Sequence, residues 1–152
     1  MNITVICVGG IKEKFYKDAC DEYIKRLGRF GKIRVTELAE VKGKDRQDIN
    51  KEGKAVIKAI PKSSYVIALC VEGSKMASEK LADKIKTLSL SSVSEMTFII
   101  GGSDGLSDEV KTAADFRLSF SDMTFPHMLM RVMLFEQIYR AFTIIEGSAY
   151  HK

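Results

Sequence analysis

Short apolar runs alternate with amphipathic segments along the whole chain. The runs are rich in β-branched residues and predict five strands. They occupy residues 3–8, 33–38, 65–71, 96–100 and 116–120. Between them, apolar residues recur at helical spacing and predict five helices. These helices lie within residues 15–27, 49–60, 78–88, 107–114 and 127–145.

Strands that alternate with helices are typical of an α/β fold with a mostly parallel sheet and flanking helices. Hydroxyl side chains at Ser78 and Ser107 are predicted to cap the third and fourth helices. Residues 39–48 are polar and charged, which predicts a mobile loop whose role stays open. No internal repeat or linker interrupts the pattern, so we expect one domain over residues 1–152.

Two segments that follow predicted strands carry candidate chemistry, because ligands of open parallel sheets bind beyond the carboxyl ends of the strands. The first is the run Gly101-Gly102-Ser103-Asp104-Gly105. Its glycines allow the backbone to approach a ligand closely, and the helix start that follows favours a polar or anionic group. An ordinary tight turn is the alternative interpretation.

The second segment lies between the last predicted strand and the longest helix. It combines apolar side chains with hydroxyls, an acid and a histidine, and this mixture suits an aromatic heterocycle with a polar rim. Its members are Phe120, Ser121, Asp122, Met123, Thr124, Phe125 and His127. A plain loop capped by Thr124 explains the same residues equally well.

The chain ends on Ala149-Tyr150-His151-Lys152. These side chains offer ring stacking, a proton acceptor near neutral pH and a phosphate contact. Terminal residues are more often frayed and without a role, which is the alternative for this tail.

Composition and charge limit the classes of site, compartment and partner that fit the sequence. The three cysteines form no C-x-x-C pair, and with two histidines they predict neither a disulfide framework nor a metal site. The apolar stretch 128–145 contains three charges, and the N-terminus lacks a basic region, so we expect no membrane helix, no signal peptide and a cytoplasmic protein.

The net charge is +4, with +6 in residues 1–62 and −2 in residues 63–152. The basic half could contact RNA, although a solvated surface explains it as well.

Several common enzyme motifs are absent from the sequence. It contains no phosphate-binding P-loop, no G-x-G-x-x-G after the first predicted strand and no G-x-S-x-G elbow. These absences disfavour nucleotide hydrolysis, ordinary dinucleotide binding and an α/β-hydrolase. A non-catalytic RNA- or ribosome-binding module and a small-molecule enzyme of flavodoxin-like shape stay open as alternatives.

The order of these motifs resembles one family over the whole chain. MNITVICVG, IIGGSDGL, LSFSDMTFPHMLMRVMLFEQIYRAFTIIEG and the terminal YHK are similar to the bacterial ribosomal RNA large subunit methyltransferase H family of the SPOUT class. The resemblance implies methylation of N3 of a pseudouridine in 23S rRNA of assembled ribosomes, with S-adenosylmethionine as cofactor and without a metal. It also implies a homodimer and a C-terminal trefoil knot, which topology rules alone would disfavour.

The resemblance also assigns site residues. The implied cofactor residues are Leu69, Gly101, Phe120, Ser121, Asp122, Met123, Thr124 and Phe125. Because N3 carries a proton, a base or a stabiliser of the developing anion is needed. His127, Tyr150 and His151 are the candidates on the substrate side, and Arg131 is a candidate charge stabiliser.

The last helix is apolar around most of its circumference, which is typical of a helix that is buried on more than one side. A central helix of a monomer and a helix at a subunit interface both fit this pattern. The resemblance favours the interface, and a dimer would allow the tail of one subunit to reach the cofactor of the other.

Overall fold

Strands and helices alternate along the protein, for which a computed structural model describes residues 1–41 and 46–152. Five strands are present in this part of the chain. They are β1 (Asn2–Val8), β2 (Ile33–Leu38), β3 (Tyr65–Lys75), β4 (Glu95–Ile100) and β5 (Phe116–Ser119). The helices between and after them are α1 (Lys14–Leu27), α2 (Arg46–Ala59), α3 (Ser78–Leu90), α4 (Asp108–Ala113) and α5 (His127–Ile145).

The strands form one sheet in the order β2-β1-β4-β3-β5, and all neighbouring strands are parallel. This confirms the predicted α/β fold with flanking helices. All strands therefore end at the same edge of the sheet, and the loops that follow β1, β3, β4 and β5 meet there.

Helices cover both faces of the sheet. Side chains of β1 alternate between the faces, with Ile3 and Val5 in one core and Ile6 and Val8 in the other. The larger core packs against α1, α3 and α5, and the smaller one packs against α2 and α4. As a result, α1 and α5 lie side by side and both begin at the edge where the strands end.

Two helix starts test the predicted caps. Ser107 caps α4 as predicted, since its Oγ accepts a hydrogen bond from the Val110 backbone N–H at 3.3 Å. The prediction for Ser78 is wrong, because Ala77 is the N-cap of α3 and no side chain caps this helix. Ser78 is the first helical residue, and its hydroxyl donates to Gln137 Oε1 at 2.6 Å.

Two further boundaries differ from the predicted ones. Helix α2 begins at Arg46 and so enters the predicted loop 39–48, of which residues 42–45 lie outside the described residues. Strand β3 continues four residues beyond the predicted end and pairs with β5 again after a register shift. A β-carbon on Gly73 would lie 2.7 Å from the Leu118 carbonyl carbon, so the two backbones approach each other closely.

Candidate active site

A cleft of about 710 Å³ lies where β3, β4 and β5 end. Its volume is within the range of cofactor sites, which is roughly 300–1,000 Å³. Three segments supply most of its lining. One lies within β3, and the other two include the ends of β4 and β5 and the residues after them. They are residues 69–72, residues 100–106 and residues 118–128 without Asp122, together with Lys111 and Met130.

The turn after β4 closes tightly on itself. The Gly105 backbone N–H donates to the Gly102 carbonyl at 3.1 Å, and Gly105 has a φ of +83°. A β-carbon on Gly101 would lie 2.4 Å from the Gly105 carbonyl oxygen, so only glycine fits at this position. The turn is therefore a preformed concave backbone surface on one side of the cleft.

Glu40, which the sequence did not single out, fixes this turn from the side of β2. Its Oε1 accepts a hydrogen bond from the Ser103 backbone N–H at 2.8 Å. Hydrogen bonds from Ser103 hold the pKa of Glu40 below its usual range, so the carboxyl is ionised at neutral pH. The only signal in the sequence is an acid just after a predicted strand, in a segment without an apolar pattern.

The segment between β5 and α5 forms the opposite wall. Ser119 Oγ donates to the Ser121 carbonyl at 3.0 Å, and Ser121 Oγ accepts from the Met123 backbone N–H at 3.0 Å. Met123 is 72% exposed at the mouth of the cleft. The segment is thus held by its own short hydrogen bonds and leaves an apolar side chain open to a ligand.

The cleft brings together most of the residues that the resemblance assigned to the cofactor. Its lining includes Leu69, Gly101, Phe120, Ser121, Met123, Thr124 and Phe125. Asp122 is outside this lining and forms an ion pair with Lys75, the last residue of β3. The Asp122 side chain therefore ties the segment to β3 from the outer side.

Of the four candidate residues for the substrate side, His127 lines the cleft. It is the first residue of α5, and its Nε2 lies 3.2 Å from the position that a β-carbon on Gly9 would occupy. His127 thus lies between the cleft and the end of β1.

Arg131 lies one turn further along α5 and does not line the cleft. It is 2% exposed, its Nη2 donates to the Gly9 carbonyl at 2.8 Å and its Nη1 forms an ion pair with Glu37. Its Nε has no hydrogen-bond partner in the described part of the chain. In this arrangement the guanidinium holds the end of β1 and does not reach a ligand in the cleft.

The C-terminal tail folds back on α5 and α3, away from the cleft lining. The Tyr150 ring packs edge-on against Tyr139 with centroids 4.9 Å apart. His151 lies between two partners, with Nδ1 3.2 Å from Arg140 Nη1 and Nε2 3.0 Å from Glu79 Oε1. Tyr150 and His151 are therefore brought together with each other but not with His127.

A second cavity of about 430 Å³ lies between α3 and α5, beside the tail. Glu136 lines it and also lies 3.4 Å from the Tyr150 hydroxyl. Leu118 and Phe120 line both this cavity and the cleft. These two side chains form the partition between the tail side and the cleft.

Comparison with known proteins gives the family. A sequence model of the family described as "Predicted SPOUT methyltransferase" matches residues 1–151. The ribosomal RNA large subunit methyltransferase H of Bifidobacterium adolescentis is 50% identical and that of Alkaliphilus oremlandii is 48% identical, and each alignment covers 100% of both chains. The chain belongs to the ribosomal RNA large subunit methyltransferase H family.

Solved structures agree with this SPOUT assignment at the level of the fold. The tRNA (m1G37) methyltransferase from Aquifex aeolicus aligns with a TM-score of 0.55 over 92% of this chain and 70% of that chain, at 16% identity. At this level of identity the alignment shows a shared fold.

Within residues 1–41 and 46–152, no group of three or more His, Cys, Asp or Glu side chains lies close enough to hold a metal ion. No helix in the same ranges combines the length and the apolar character needed to cross a bilayer. Burial raises the pKa of Cys7 to about 12 and that of Cys20 to about 11, so both thiols are protonated.

Proposed function

We propose that this SPOUT methyltransferase transfers a methyl group from S-adenosylmethionine to N3 of a pseudouridine in 23S rRNA. The observation that carries the proposal is the preformed cleft, whose glycine turn and apolar wall meet at the carboxyl ends of three strands. The printed names of full-length relatives at 48–50% identity concern ribosomal RNA of the large subunit. The assembled ribosome in the cytoplasm is the substrate that we expect.

The residues of the cleft suit S-adenosylmethionine. Leu69, Phe120 and Phe125 offer apolar surfaces for the adenine ring. Three of the five residues of the 101–105 turn are glycines, so a ligand can approach their backbone groups closely enough to bind them with the polar edge of the base. The cofactor, when bound, supplies an electrophilic methyl group on its sulfonium.

Within one subunit, His127 is the residue that we assign to the N3 proton. Its imidazole is at the edge of the cleft, where it can accept a proton from a uracil placed against the cofactor. Arg131 is assigned a positioning role, since it holds the Gly9 carbonyl and thereby the backbone beside His127. Asp122 supports the cofactor wall through Lys75 without touching a ligand.

Tyr150 and His151 act across a homodimer in this proposal. Every residue of α5 is at least partly buried, and its face away from the core still presents half-buried apolar side chains, among them Leu129 and Met133. Such a face favours a second copy of the chain as its cover. A tail released from Glu79 in one subunit would then reach the cleft of the other.

The trefoil knot is the finer part of the fold that we propose. The second pairing of β3 with β5 and the close backbone approach at Gly73 support a chain crossing at the cleft. A knot there would hold the 69–72 and 118–126 segments against each other without a side-chain bond.

Thermal unfolding with added ligands tests the cofactor directly. S-adenosylhomocysteine is expected to raise the melting temperature, whereas flavin mononucleotide and NAD are expected to leave it unchanged. A shift with NAD or flavin in place of S-adenosylhomocysteine would contradict the proposal. A mixture of a Gly101→Trp chain and a tail-deleted chain tests the dimer, since restored activity is expected and a mixture no better than its parents would contradict the exchange.

A further inference from the structure

An aromatic pair that consists of the exposed Phe15 and the half-buried Tyr16 lies at the start of α1. Phe15 is 65% exposed, and its ring centroid lies 4.4 Å from that of Tyr16 at an interplanar angle of 50°. A phenylalanine gains nothing from contact with water, so an open ring of this size marks a contact surface when other features agree. The rings form a stacking surface that the cofactor cleft does not use.

The pair lies at the same edge of the sheet as the cleft. Helices α1 and α5 run in the same direction, since Tyr23 packs on Tyr139 and Phe30 packs on Phe142. Counting back along both helices at about 1.5 Å per residue places Phe15 within roughly one helical turn of the level of His127. The aromatic pair therefore lies at the same edge of the sheet as the cleft, near the level of His127 and outside the cleft lining.

The surroundings of the pair carry exposed lysines. Lys12, Lys14 and Lys17 are all exposed. Lys14 pairs with Asp18 at 2.5 Å, while neither Lys12 nor Lys17 forms an ion pair in the described part of the chain. The acids of this segment are Glu13 and Asp18, so the segment keeps a small positive excess beside the rings.

We propose that Phe15 and Tyr16, flanked by Lys12 and Lys17, form a platform for a single-stranded RNA base that neighbours the methylated nucleotide. Unpaired bases stack on aromatic side chains, and lysines beside them neutralise the phosphates. The inference rests on the proposed function, because it names a contact of the same RNA substrate. The platform holds the strand while the target base occupies the cleft.

A second copy of the chain is the other occupant that an exposed ring can have. The position of the pair beside the cleft edge and the unpaired lysines favour RNA, since a subunit interface excludes unpaired charges from its centre. The oligomeric state of a Phe15 variant distinguishes the two.

A tryptophan at the platform gives a readout that is independent of turnover. The chain contains no tryptophan, so the full-length variants Phe15→Trp and Leu90→Trp each have a single tryptophan, which can be excited selectively. Leu90 is 79% exposed and ends α3 at the opposite edge of the sheet, which makes it the matched control. A short uridine oligonucleotide is expected to quench the Phe15→Trp emission and to leave the Leu90→Trp emission unchanged.

The alanine variants complete the test with large ribosomal subunits that lack the modification. Phe15→Ala is expected to raise KM for the particle by roughly 5- to 150-fold, the range for loss of one base–aromatic stack. Its kcat and its affinity for S-adenosylhomocysteine are expected to match those of Leu90→Ala. Phe15→Trp is expected to restore the wild-type KM.

Three results would overturn the inference. One is equal KM values for Phe15→Ala and Leu90→Ala with an active wild-type protein, and another is equal quenching of both tryptophan variants. The third is a loss of self-association in Phe15→Ala by analytical ultracentrifugation, which would make the pair a subunit contact. Failure of the wild-type protein to methylate any ribosomal RNA would refute the proposed function instead, and the fluorescence experiment would still decide the platform.

Discussion

The cleft and the tail surface lie on opposite sides of the Leu118 and Phe120 partition, and they are built differently. Backbone contacts form the cleft, from the closed turn at Gly101 to the hydrogen bonds around Ser121. Charged and aromatic side chains hold the tail, through Tyr150 on Tyr139 and His151 on Glu79.

This difference separates a fixed part of the molecule from a part that can move. Opening the glycine turn would break backbone packing, whereas releasing the tail breaks the hydrogen bond of His151 to the exposed Glu79 and the contact of Tyr150 with Tyr139. The cleft is therefore suited to bind a cofactor without rearrangement, and the tail is suited to change its partner. We expect changes to the tail and to the glycine turn to have the largest effects, and changes at Glu40 and Cys70 to have smaller ones.

Deletion of residues 149–152 should separate the two regions most clearly. If the tail orients the target base, methyl transfer should fall on the order of 100-fold, as expected when a reacting group is misplaced. Affinity for S-adenosylhomocysteine should stay unchanged, because the tail does not line the cleft. Methylation assays and isothermal titration calorimetry measure both quantities, and a parallel loss of affinity would show that the regions are not separate.

Gly101→Ala should affect the cleft alone. The added β-carbon would lie 2.4 Å from the Gly105 carbonyl oxygen, so the turn has to open. We expect affinity for S-adenosylhomocysteine to fall on the order of 100-fold with the fold retained. Gly147→Ala is the control for the strain of a substituted glycine away from the cleft, because Gly147 has a φ of +70° and a β-carbon there meets nothing within 4 Å. Calorimetry with circular dichroism compares the two variants. Unchanged binding by the Gly101 variant would contradict a preformed turn.

Glu40→Ala should weaken cofactor binding although Glu40 does not line the cleft. Loss of the charge-assisted hydrogen bond to Ser103 is expected to reduce affinity roughly tenfold. Glu40→Gln keeps an acceptor oxygen and should lose less. Because the pKa of Glu40 is lowered, its contribution should be constant above the usual carboxyl range and lost as pH falls below about 4. Calorimetry measures the affinity of both variants for S-adenosylhomocysteine. Wild-type affinity in both would contradict the role of Glu40 in holding the turn.

Cysteine alkylation should give the smallest effect. Cys70 lines the cleft, and burial raises its pKa, so it should react with iodoacetamide at pH 8 more slowly than a free thiol. Cys7 and Cys20 are fully buried and should not react. Bound S-adenosylhomocysteine should cover Cys70 and lower its rate of alkylation a further few-fold, as measured by mass spectrometry. Equal alkylation rates of Cys70 with and without S-adenosylhomocysteine would show that this ligand binds outside the cleft.

Sheet topology explains why much of the cleft could be predicted. Leu69 lies in β3 beside the last residue of β4, Gly101 and the 120–125 segment follow β4 and β5, and parallel strands bring their carboxyl ends to one edge. Side-chain direction within a loop or a helix has no such rule. Asp122 points to Lys75, and Arg131 points to the end of β1. An aspartate and an arginine are both residue types that suit a functional site. Only the packed structure shows in which direction their side chains point.

Contacts between distant segments explain what the sequence missed. Glu40 reaches a turn 63 residues further along the chain, and no local pattern marks such a partner. The wrong cap at Ser78 has a similar cause, because β3 continues to Lys75 along β5 and leaves two residues before α3. The proposed knot would depend on the order of chain crossings, which periodicity does not encode.

Mass mapping of 23S rRNA from cells with and without this gene tests the central claim most directly. The account predicts a methylated pseudouridine in the large-subunit rRNA of cells that have the gene and its loss, at one position, in cells that lack it. A catalytically impaired Gly101→Ala chain should fail to restore the methyl group, and the Gly147→Ala chain should restore it. An unchanged level of methylpseudouridine after deletion of the gene would contradict the account.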